Sequence, residues 1–452
     1  MKEEIFLNNL NSIFDKTNIK TDTLNKEKYR NDWSTKYESD PIAIVFPKEV
    51  DQVTEVIKLC NESNYPIIGS GGRTGLSGGA AALSNELIMS FEKMDNILDF
   101  DETSKTVLCQ SGLITENLQS FADENNLYYP VNFSSSGSSQ IGGNIATNAG
   151  GIRVIKYGST SRYVNGLEVI TGNGDKLKMD NMMVKNATGP DLKNFFIASE
   201  GIFGLITTCR IQLIQKPIET DVILLGFDDL SYLEKITKMI FNFDIEAAEF
   251  FTKESVVKVS NEFDHVDIDH LNNNYYLIVE YFEDHKFLDA LEKLYKGTKN
   301  IEIIMSTNKS QKNSIWDYRM LISESISRKS PIKFDIAVPV KYVSKLIHRL
   351  ELHFKKNSDY ELILFGHIGD GNLHINILEN SVNSSDVTEL ENKIHSIVLD
   401  LKGTLSAEHG IGANKIKIFM KYENKIKIEL FKNLKNYFDS NWILNPGKLI
   451  SK

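Results

Sequence analysis

The stretch "GSGGRTGLSGGAA", residues 69–81, decides the fold of this chain, because it combines six glycines with the end of a strand–helix–strand pattern. That pattern runs through "IAIVF" (42–46), "PKEVDQVTEVIKLCNES" (47–63) and "YPIIG" (65–69). Apolar residues at helical spacing in the middle segment predict a β-α-β unit. A second glycine-rich stretch, "GSSQIGGNIATNAGGIRVIKYG", covers residues 137–158.

Glycine-rich loops let a ligand approach the backbone and leave consecutive N–H groups free to face phosphate oxygens. One such loop is more often only a tight turn, but two long ones with interleaved Ser, Thr and Asn favour a phosphate-bearing ligand. Neither loop has the Rossmann spacing, and neither ends in the Gly-Lys-Ser/Thr of a P-loop. The pattern therefore disfavours a nicotinamide or simple ATP site.

The bulk composition is that of a folded globular protein. Its 452 residues predict two or three domains, and the formal charge of −10 argues against nucleic acid as a partner. The three cysteines, Cys60, Cys109 and Cys209, suggest neither a disulfide framework nor a thiolate metal site, and they fit a reducing compartment. Neither a leader-like segment nor a membrane-spanning stretch is evident, so we expect a cytoplasmic protein.

The character of the sequence changes around Lys216-Pro217, where alternating helices and strands of a different unit begin. We expect an N-terminal segment (1–34), a first domain (35–217) and a second domain (218–435). The last segment (436–452) is expected to return to the first domain.

Six ordered motifs resemble the FAD-linked 2-hydroxyacid dehydrogenases of the vanillyl-alcohol oxidase superfamily. They are "GSGGRTGLSGGA", "IGGNIATNAGGIRVIKYGS", "SEGIFGLIT", "FGHIGDGNLHINI", "SAEHGIG" and "LNPGK". Within the family the chain is most similar to the D-2-hydroxyglutarate dehydrogenases and next to the D-lactate dehydrogenases. The resemblance implies an α+β protein, with an FAD-binding domain of two α+β subdomains and an α+β substrate domain built on an antiparallel sheet.

The resemblance also implies which residues bind FAD. The first loop would wrap the pyrophosphate and the later motifs would line the rest of the cofactor. The implied residues are Gly69, Ser70, Gly71, Gly72, Arg73, Thr74, Gly75, Ser77, Gly137, Ser138, Gly142, Gly143, Asn144, Thr147, Asn148, Gly151, Tyr157, Gly158, Glu200, Gly201, Ile206 and Asn445. All nine histidines lie at residue 265 or later, so no histidine of the glycine-rich half can tether the flavin and non-covalent FAD is expected.

The stretch "LILFGHIGDGNLHINIL" (362–378) predicts a hairpin with a turn at residues 369–372. That turn would place His367 directly opposite His374, near enough for both imidazoles to reach one metal ion. For an arbitrary hairpin, stacking of the two rings would be the better interpretation, but "SAEHG" supplies a carboxylate, Glu408, and a third imidazole, His409. By resemblance the metal ligands are His367, His374 and Glu408. Zinc is the first choice, and Mn²⁺, Fe²⁺ and Co²⁺ suit the same ligands.

For the reaction, we expect metal coordination to lower the pKa of the substrate hydroxyl, His409 to take its proton, and a hydride to pass to flavin N5. The resemblance to 2-hydroxyglutarate dehydrogenases places Arg319, Ser323 and Lys333 on the distal carboxylate of a D-2-hydroxy acid. Asn376 shares the face of the histidines, and together with His409 it completes the expected substrate contacts. Ser323 stands where Thr is typical of the family.

Two other functions remain open from sequence. One is a D-lactate or glycolate dehydrogenase, whose pocket would end in an apolar or small region. The other is a non-redox FAD-containing transferase, like the alkylglycerone-phosphate synthase relatives, against which the retained His367, His374 and Glu408 argue. A flavin-binding subunit without activity is a third and weaker interpretation. No second redox motif is present, so the electrons would leave to an external carrier, electron-transfer flavoprotein or a quinone. The oligomeric state is open, a homodimer included.

Overall fold

The computed structural model describes residues 2–34, 37–180, 182–183, 185–282, 284–298, 300–355, 360–379 and 384–452. The chain divides into two compact units. The first contains residues 1–151, 159–216 and 408–452, and the second contains residues 152–158 and 217–407. The domain bounds expected from sequence, 1–34, 35–217, 218–435 and 436–452, stay a prediction of which parts fold independently.

The first unit contains two main sheets and the helices that cover them. Its helices are α1 (Lys2–Ile13), α2 (Thr23–Tyr29), α3 (Val50–Ser63), α4 (Thr115–Glu124), α5 (Ile141–Thr147), α14 (Ile416–Tyr422) and α15 (Lys425–Phe438). Its strands are β1 (Ile19–Lys20), β2 (Ala43–Val45), β3 (Ile67–Ser70), β4 (Leu87–Ser90), β5 (Ile97–Asp101), β6 (Thr106–Gln110), β7 (Leu127–Tyr128), β8 (Val164–Thr171), β9 (Lys176–Lys178), β10 (Gly204–Gln212) and β11 (Ile214–Gln215).

The predicted β-α-β unit is present, with one strand inserted. The four-stranded sheet has the order β1-β2-β4-β3, and β4 pairs in parallel with both β2 and β3. Helix α3 begins with a capping box between Glu49 and Gln52, which satisfies free N–H groups of its first turn. Its apolar stripe, which includes Val53 and Ile57, is fully buried. The five-stranded sheet, in the order β5-β6-β10-β8-β9, is antiparallel.

The second unit is built on one antiparallel sheet of seven strands. They are β12 (Thr220–Phe227), β13 (Ile245–Thr252), β14 (Tyr275–Phe282), β15 (Glu302–Met305), β16 (Ile332–Ala337), β17 (Tyr360–His367) and β18 (Asn372–Glu379). Their order in the sheet is β15-β12-β14-β13-β17-β18-β16. The helices are α6 (Val154–Tyr157), α7 (Leu230–Ile240), α8 (Lys253–Glu262), α9 (His285–Gly297), α10 (Lys309–Met320), α11 (Ile322–Ser327), α12 (Val343–Phe354) and α13 (Ser384–Asp400).

Each face of this sheet has its own hydrophobic core. One core joins residues of the sheet to α7, α9, α12 and α13, and the other joins them to α8, α10 and α11. On β18, Leu373, Ile375 and Ile377 belong to the first core. Because side chains alternate along a strand, His374 and Asn376 point to the opposite face, on the side of α8, α10 and α11.

Among the described residues, none of the helices has both the length and the apolar character needed to cross a membrane.

Candidate active site

The hairpin that carries the two histidines is formed by β17 and β18, but its register differs from the prediction. The turn comprises residues 368–371, and His374 lies opposite Phe365 rather than opposite His367. The turn begins one residue early because Gly371 takes a positive φ and Asn372 enters the strand, where its side chain donates to Asp335. The predicted direct opposition is therefore wrong.

The two imidazoles nevertheless meet on one face of the sheet. A shift of two residues keeps both side chains on the same side, since the side-chain period of a strand is two. The Nε2 atoms of His367 and His374 lie 3.5 Å apart. Two nitrogens bound to one Zn²⁺ at about 2.05 Å would be roughly 3.3 to 3.5 Å apart in a near-tetrahedral site. The spacing of the pair fits a shared divalent ion.

A carboxylate lies on the Nδ1 side of each histidine. Nδ1 of His367 is 2.6 Å from Oε1 of Glu249, the residue directly opposite it on β13. Nδ1 of His374 is 3.9 Å from Oδ1 of Asp335, the residue directly opposite it on β16. At 2.6 Å the Glu249 carboxylate can accept the Nδ1 proton of His367, which is the usual arrangement behind a metal-binding histidine. The 3.9 Å between His374 and Asp335 is too long for the same hydrogen bond.

Asp335 also supplies oxygen atoms beside His374. Within the second unit, Asp335 and His374 offer a carboxylate and an imidazole that could hold a metal ion. Glu408 directly follows Ala407, whose N–H donates to Oδ2 of Asp335 at 3.1 Å. The donor set of imidazole and carboxylate suits zinc and the neighbouring divalent ions alike, so it does not decide the identity of the metal.

Three of the residues predicted to bind substrate lie along the same face as His374. Lys333 is directly opposite Asn376 on the β16–β18 pair. Desolvation by burial lowers the pKa of Lys333 although part of the residue is exposed. The side-chain nitrogen of Asn376 is buried and has no hydrogen-bond partner among the described residues. Arg319 is buried at the end of α10, with its guanidinium 4.6 Å above the Phe365 ring.

Ser323, the fourth of these residues, is exposed on α11, one turn beyond Arg319. The exposed position gives no support to a buried contact with a carboxylate, and its assignment stays a prediction.

The "SAEHGIG" loop belongs with the first unit from Glu408 onward, and Glu200 holds it there. The two carboxylate oxygens of Glu200 accept the N–H groups of Ile411 and Gly412 at 2.7 and 2.6 Å. Burial raises the pKa of Glu200, and these two hydrogen bonds oppose that rise. Nε2 of His409 lies 3.3 Å from Oε1 of Glu408. A residue predicted to bind cofactor thus also fixes the loop that carries His409.

The structure brings the two glycine-rich stretches together. A Cβ on Gly72 would lie 2.0 Å from the carbonyl oxygen of Ser138, and the Cβ position of Gly71 is 3.7 Å from the Cα of Gly143. The side chain of Asn445 connects the first glycine-rich stretch to the motif "SEGIFGLIT". It accepts from the N–H of Gly69 and donates to the carbonyl oxygen of Glu200.

Several other residues predicted to bind cofactor already have partners. Asn144 donates to Thr115, and Asn148 accepts from the N–H of Ser161. The guanidinium of Arg73 lies 4.1 Å above the ring of Tyr29. Tyr157, together with Gly158, belongs to the second unit, where its hydroxyl donates to Glu246. The remaining predicted residues stay cofactor predictions on the basis of their motifs.

The residues around these loops fit a bound flavin nucleotide. Among the described residues, the side-chain oxygens of Ser70, Ser111 and Gln140 are buried without a hydrogen-bond partner. Buried polar atoms are rarely left unsatisfied in a native protein, so each indicates a missing partner. A Cβ on Gly143 would meet no atom within 4 Å, which leaves open space beside α5. The serine hydroxyls can donate to phosphate oxygens, and the Gln140 amide oxygen can accept from a hydroxyl or N–H group of a nucleotide, so with the open space beside glycine backbone they suit a phosphate-bearing cofactor.

Sequence reasoning missed Glu249 and Asp335. Both are buried acids within apolar strands, which is a visible signal because an acid is seldom fully buried unless it is paired. The sequence offered no means of locating their partners, since Glu249 lies 118 residues from His367.

Comparisons with known proteins agree with these features. Residues 216–449 match the family model described as FAD linked oxidases, C-terminal domain, and residues 41–180 match the FAD binding domain model. The chain is 35% identical to a D-2-hydroxyglutarate dehydrogenase of Stutzerimonas stutzeri (strain A1501), with 100% of both chains covered. It is 31% identical to a mitochondrial D-2-hydroxyglutarate dehydrogenase of Arabidopsis thaliana, covering 97% of this chain and 80% of the relative.

Solved structures support the fold. The 4-ethylphenol oxidase from Gulosibacter chungangensis superimposes with a TM-score of 0.79 at 14% identity, covering 99% of this chain and 97% of the other. An alkyldihydroxyacetonephosphate synthase gives a TM-score of 0.74 at 16% identity, covering 98% and 84%. At these identities the likeness concerns the fold alone, and it confirms the predicted α+β class.

Proposed function

This chain belongs to the FAD-linked oxidases and is an FAD-linked 2-hydroxyacid dehydrogenase, and we propose that its substrate is D-2-hydroxyglutarate, which it oxidises to 2-oxoglutarate. The observation that carries the choice of substrate is the pair formed by Lys333 and Asn376 on the face that also bears His374. A cation and an amide donor at one end of a row of metal-binding side chains suit a substrate with two carboxylates. The names of the relatives support the same choice.

The spacing along β18 also suits a five-carbon diacid. His374 and Asn376 are two residues apart on one strand, which separates them by about 7 Å along the sheet. The hydroxyl and first carboxylate would lie at the histidine end, and the second carboxylate at the end of Lys333 and Asn376. A lactate molecule, which has no second carboxylate, would leave the lysine without a partner at that end.

His367, His374 and Glu408 would hold the metal, for which zinc is the first choice, and the glycine-rich stretches with Glu200, Gly201 and Asn445 would hold FAD. When bound, the flavin accepts the two electrons of the oxidation and the divalent ion polarises the substrate oxygens. Glu249 would keep the His367 imidazole oriented and in the tautomer that presents Nε2, and Asp335 would place a negative charge on the Nδ1 side of His374.

His409 is the residue that takes the hydroxyl proton in this proposal. It is adjacent in sequence to Glu408, so one loop would deliver both a metal ligand and the base. The hydrogen bonds from Ile411 and Gly412 to Glu200 limit the movement of that loop. A base works best when its distance to the proton is fixed before the reaction begins. The electrons then pass to an external acceptor, electron-transfer flavoprotein or a quinone.

The test is anaerobic reduction of the bound flavin, followed by absorbance. D-2-hydroxyglutarate, its L-enantiomer, D-lactate and D-malate are compared, each before chelation, after chelation and after readdition of Zn²⁺ or Mn²⁺. We expect bleaching by D-2-hydroxyglutarate, loss of that bleaching with chelator and recovery with metal. Preferential bleaching by D-lactate would contradict the substrate proposal, and unchanged bleaching after complete metal removal would contradict the role of the metal.

A further inference from the structure

Glu249 occupies an unusual position in the second unit. It lies on β13, near the centre of the seven-stranded sheet, and its side chain is completely inaccessible to solvent. A carboxylate in such a place is costly unless positive charge and hydrogen bonds compensate for the lost hydration.

Its two oxygens contact two different functional side chains. Oε1 is 2.6 Å from Nδ1 of His367, and Oε2 is 2.8 Å from Nε of Arg319. The second contact is an ion pair whose angles do not make a hydrogen bond. Arg319 also covers the ring of Phe365, so the guanidinium is held between the carboxylate and an aromatic face.

We propose that Glu249 is a positioning residue that couples metal binding to recognition of the distal carboxylate of the substrate. This inference rests on the proposed function, because it takes His367 as a metal ligand and Arg319 as part of the substrate site. One buried negative charge serves both groups. It orients His367 through Nδ1, so that Nε2 is the atom directed at the proposed metal, and it neutralises Arg319 at the same time.

The sharing has an energetic consequence. The carboxylate of Glu249 interacts with Arg319 directly and with the metal ion through His367. Removing one of these two cations therefore strengthens the interaction of the carboxylate with the other. Arg319 is therefore not a free cation waiting for substrate, and its presence weakens the support that Glu249 gives to His367. If Arg319 affected the metal only by through-space repulsion, its effect on metal affinity would be the same with and without Glu249.

The experiment measures zinc affinity of the purified flavoprotein by competition with a chromogenic chelator. The variants are Glu249→Gln, Arg319→Met and the two combined. Glu246→Gln is the matched control, because Glu246 is also a buried acid of β13 but bonds to Arg153 and Tyr157.

We expect Glu249→Gln to weaken zinc binding about tenfold or more, as is usual when the partner of a metal-binding histidine is lost. Arg319→Met should tighten zinc binding several-fold while it lowers the rate of flavin reduction by D-2-hydroxyglutarate. In the Glu249→Gln background the tightening by Arg319→Met should shrink, because only direct repulsion between the arginine and the metal is left. Glu246→Gln should bind zinc like the wild type.

Equal zinc affinity in wild type, Glu249→Gln and Arg319→Met would overturn the proposal, as would an unchanged arginine effect in the double variant. If Glu249→Gln does not fold, the zinc affinity of Arg319→Met tests the proposal by itself. A weaker or unchanged affinity would contradict the idea that His367 and Arg319 share the charge of Glu249. These readouts are separable from the substrate proposal. A wild-type protein that binds zinc but is not reduced by D-2-hydroxyglutarate would refute the proposed substrate. The zinc affinities of the two single variants and the double variant would still test the role of Glu249.

Discussion

Lys333 lies directly opposite Asn376 across the edge pair of the seven-stranded sheet, one step along the face from the pair of Asp335 and His374. Directly opposed residues of an antiparallel pair have their Cβ atoms about 5 Å apart, so one carboxylate can contact both side chains. None of the ion pairs found among the described residues involves Lys333, whereas Arg319 is already paired with Glu249. Of the two predicted cations, Lys333 is therefore the one whose charge no protein carboxylate already neutralises among the described residues, so we expect it to contribute more to binding of the second substrate carboxylate than Arg319 does.

Replacing Lys333 with methionine should lower kcat/KM for D-2-hydroxyglutarate on the order of 10²-fold, because a charged group bound by the substrate is lost. The value for D-lactate should change little, since lactate has no carboxylate at that end. Steady-state kinetics with both substrates and an artificial acceptor measure the two ratios. Lys329→Met, which removes an exposed lysine nearby, is the control and should behave like the wild type. Equal losses on both substrates would show that Lys333 does not select between them.

Replacing either histidine of the pair should remove the metal. His374→Leu and His367→Leu each delete one of two nitrogens that lie 3.5 Å apart. Each variant leaves the proposed site with one imidazole and the Glu408 carboxylate, which are too few protein ligands to hold zinc well. Elemental analysis of the purified proteins should give close to one zinc per wild-type chain and near zero for either variant. His348→Leu, which alters an exposed histidine of α12, should keep the metal. Retention of a full equivalent of metal by both variants would place the ion elsewhere.

The hairpin shows how far sequence could lead at this site. Alternation of apolar and polar residues predicts the two strands and the shared face of His367 and His374. The shared face survives the error in register because a shift of two residues returns each side chain to the same side of the sheet. The register itself depends on the φ of Gly371 and on the bond between Asn372 and Asp335, which are properties of the folded turn and of a third strand. Sequence patterns carry no direct information on either.

The glycine-rich stretches illustrate a second limit. The number of glycines indicates that other atoms approach the backbone closely. It does not show whether those atoms belong to a ligand or to the protein itself. Gly72 and Gly151 face backbone carbonyl oxygens of Ser138 and Asn132, each 2.0 Å from where a Cβ would stand. Those two glycines are required by the packing of the chain itself, whatever ligand is present. Gly143 alone among the α5 glycines faces open space.

That difference leads to a prediction for Gly143→Ala. The new methyl group contacts no protein atom, and alanine in a helix is more stable than glycine by roughly 0.5 to 1 kcal/mol, so the flavin-free protein should be slightly stabilised. If the space belongs to FAD, the same methyl group should weaken flavin binding at least tenfold. Thermal unfolding of the flavin-free protein and fluorescence titration with FAD measure the two effects.

Gly297→Ala is the control for Gly143→Ala, since Gly297 also faces open space but lies at the end of α9 in the second unit. It should leave FAD affinity unchanged. Full FAD affinity in Gly143→Ala would show that the cofactor does not occupy the space beside α5.

The ammonium of Lys435 is buried near the C-terminal end of α15. Its Nζ donates to the carbonyl oxygens of Ile202 and Leu444 and pairs with Asp439. Burial lowers the pKa of Lys435 to about 8, against 10.5 for an ordinary lysine, although Asp439 opposes the change. Between these two pH values the unfolded chain therefore holds the proton more tightly than the folded chain does.

The free energy of unfolding contributed by this group should accordingly rise with pH from about 8 to 10.5, by up to about 1.4 kcal/mol per pH unit. Urea unfolding of wild type and Lys435→Met at pH 7.5, 8.5 and 9.5 isolates the contribution, because tyrosines and cysteines that titrate in the same range are common to both proteins. Lys435→Met should be less stable at every pH, since Asp439 and two carbonyl oxygens lose their donor, but the deficit should widen as pH rises. Lys427→Met removes an exposed lysine that pairs with Glu423 and lies over the Phe419 and Phe431 rings, and it should show the same pH dependence as the wild type. A deficit that stays constant or narrows with pH would mean that the folded protein keeps Lys435 charged through this range.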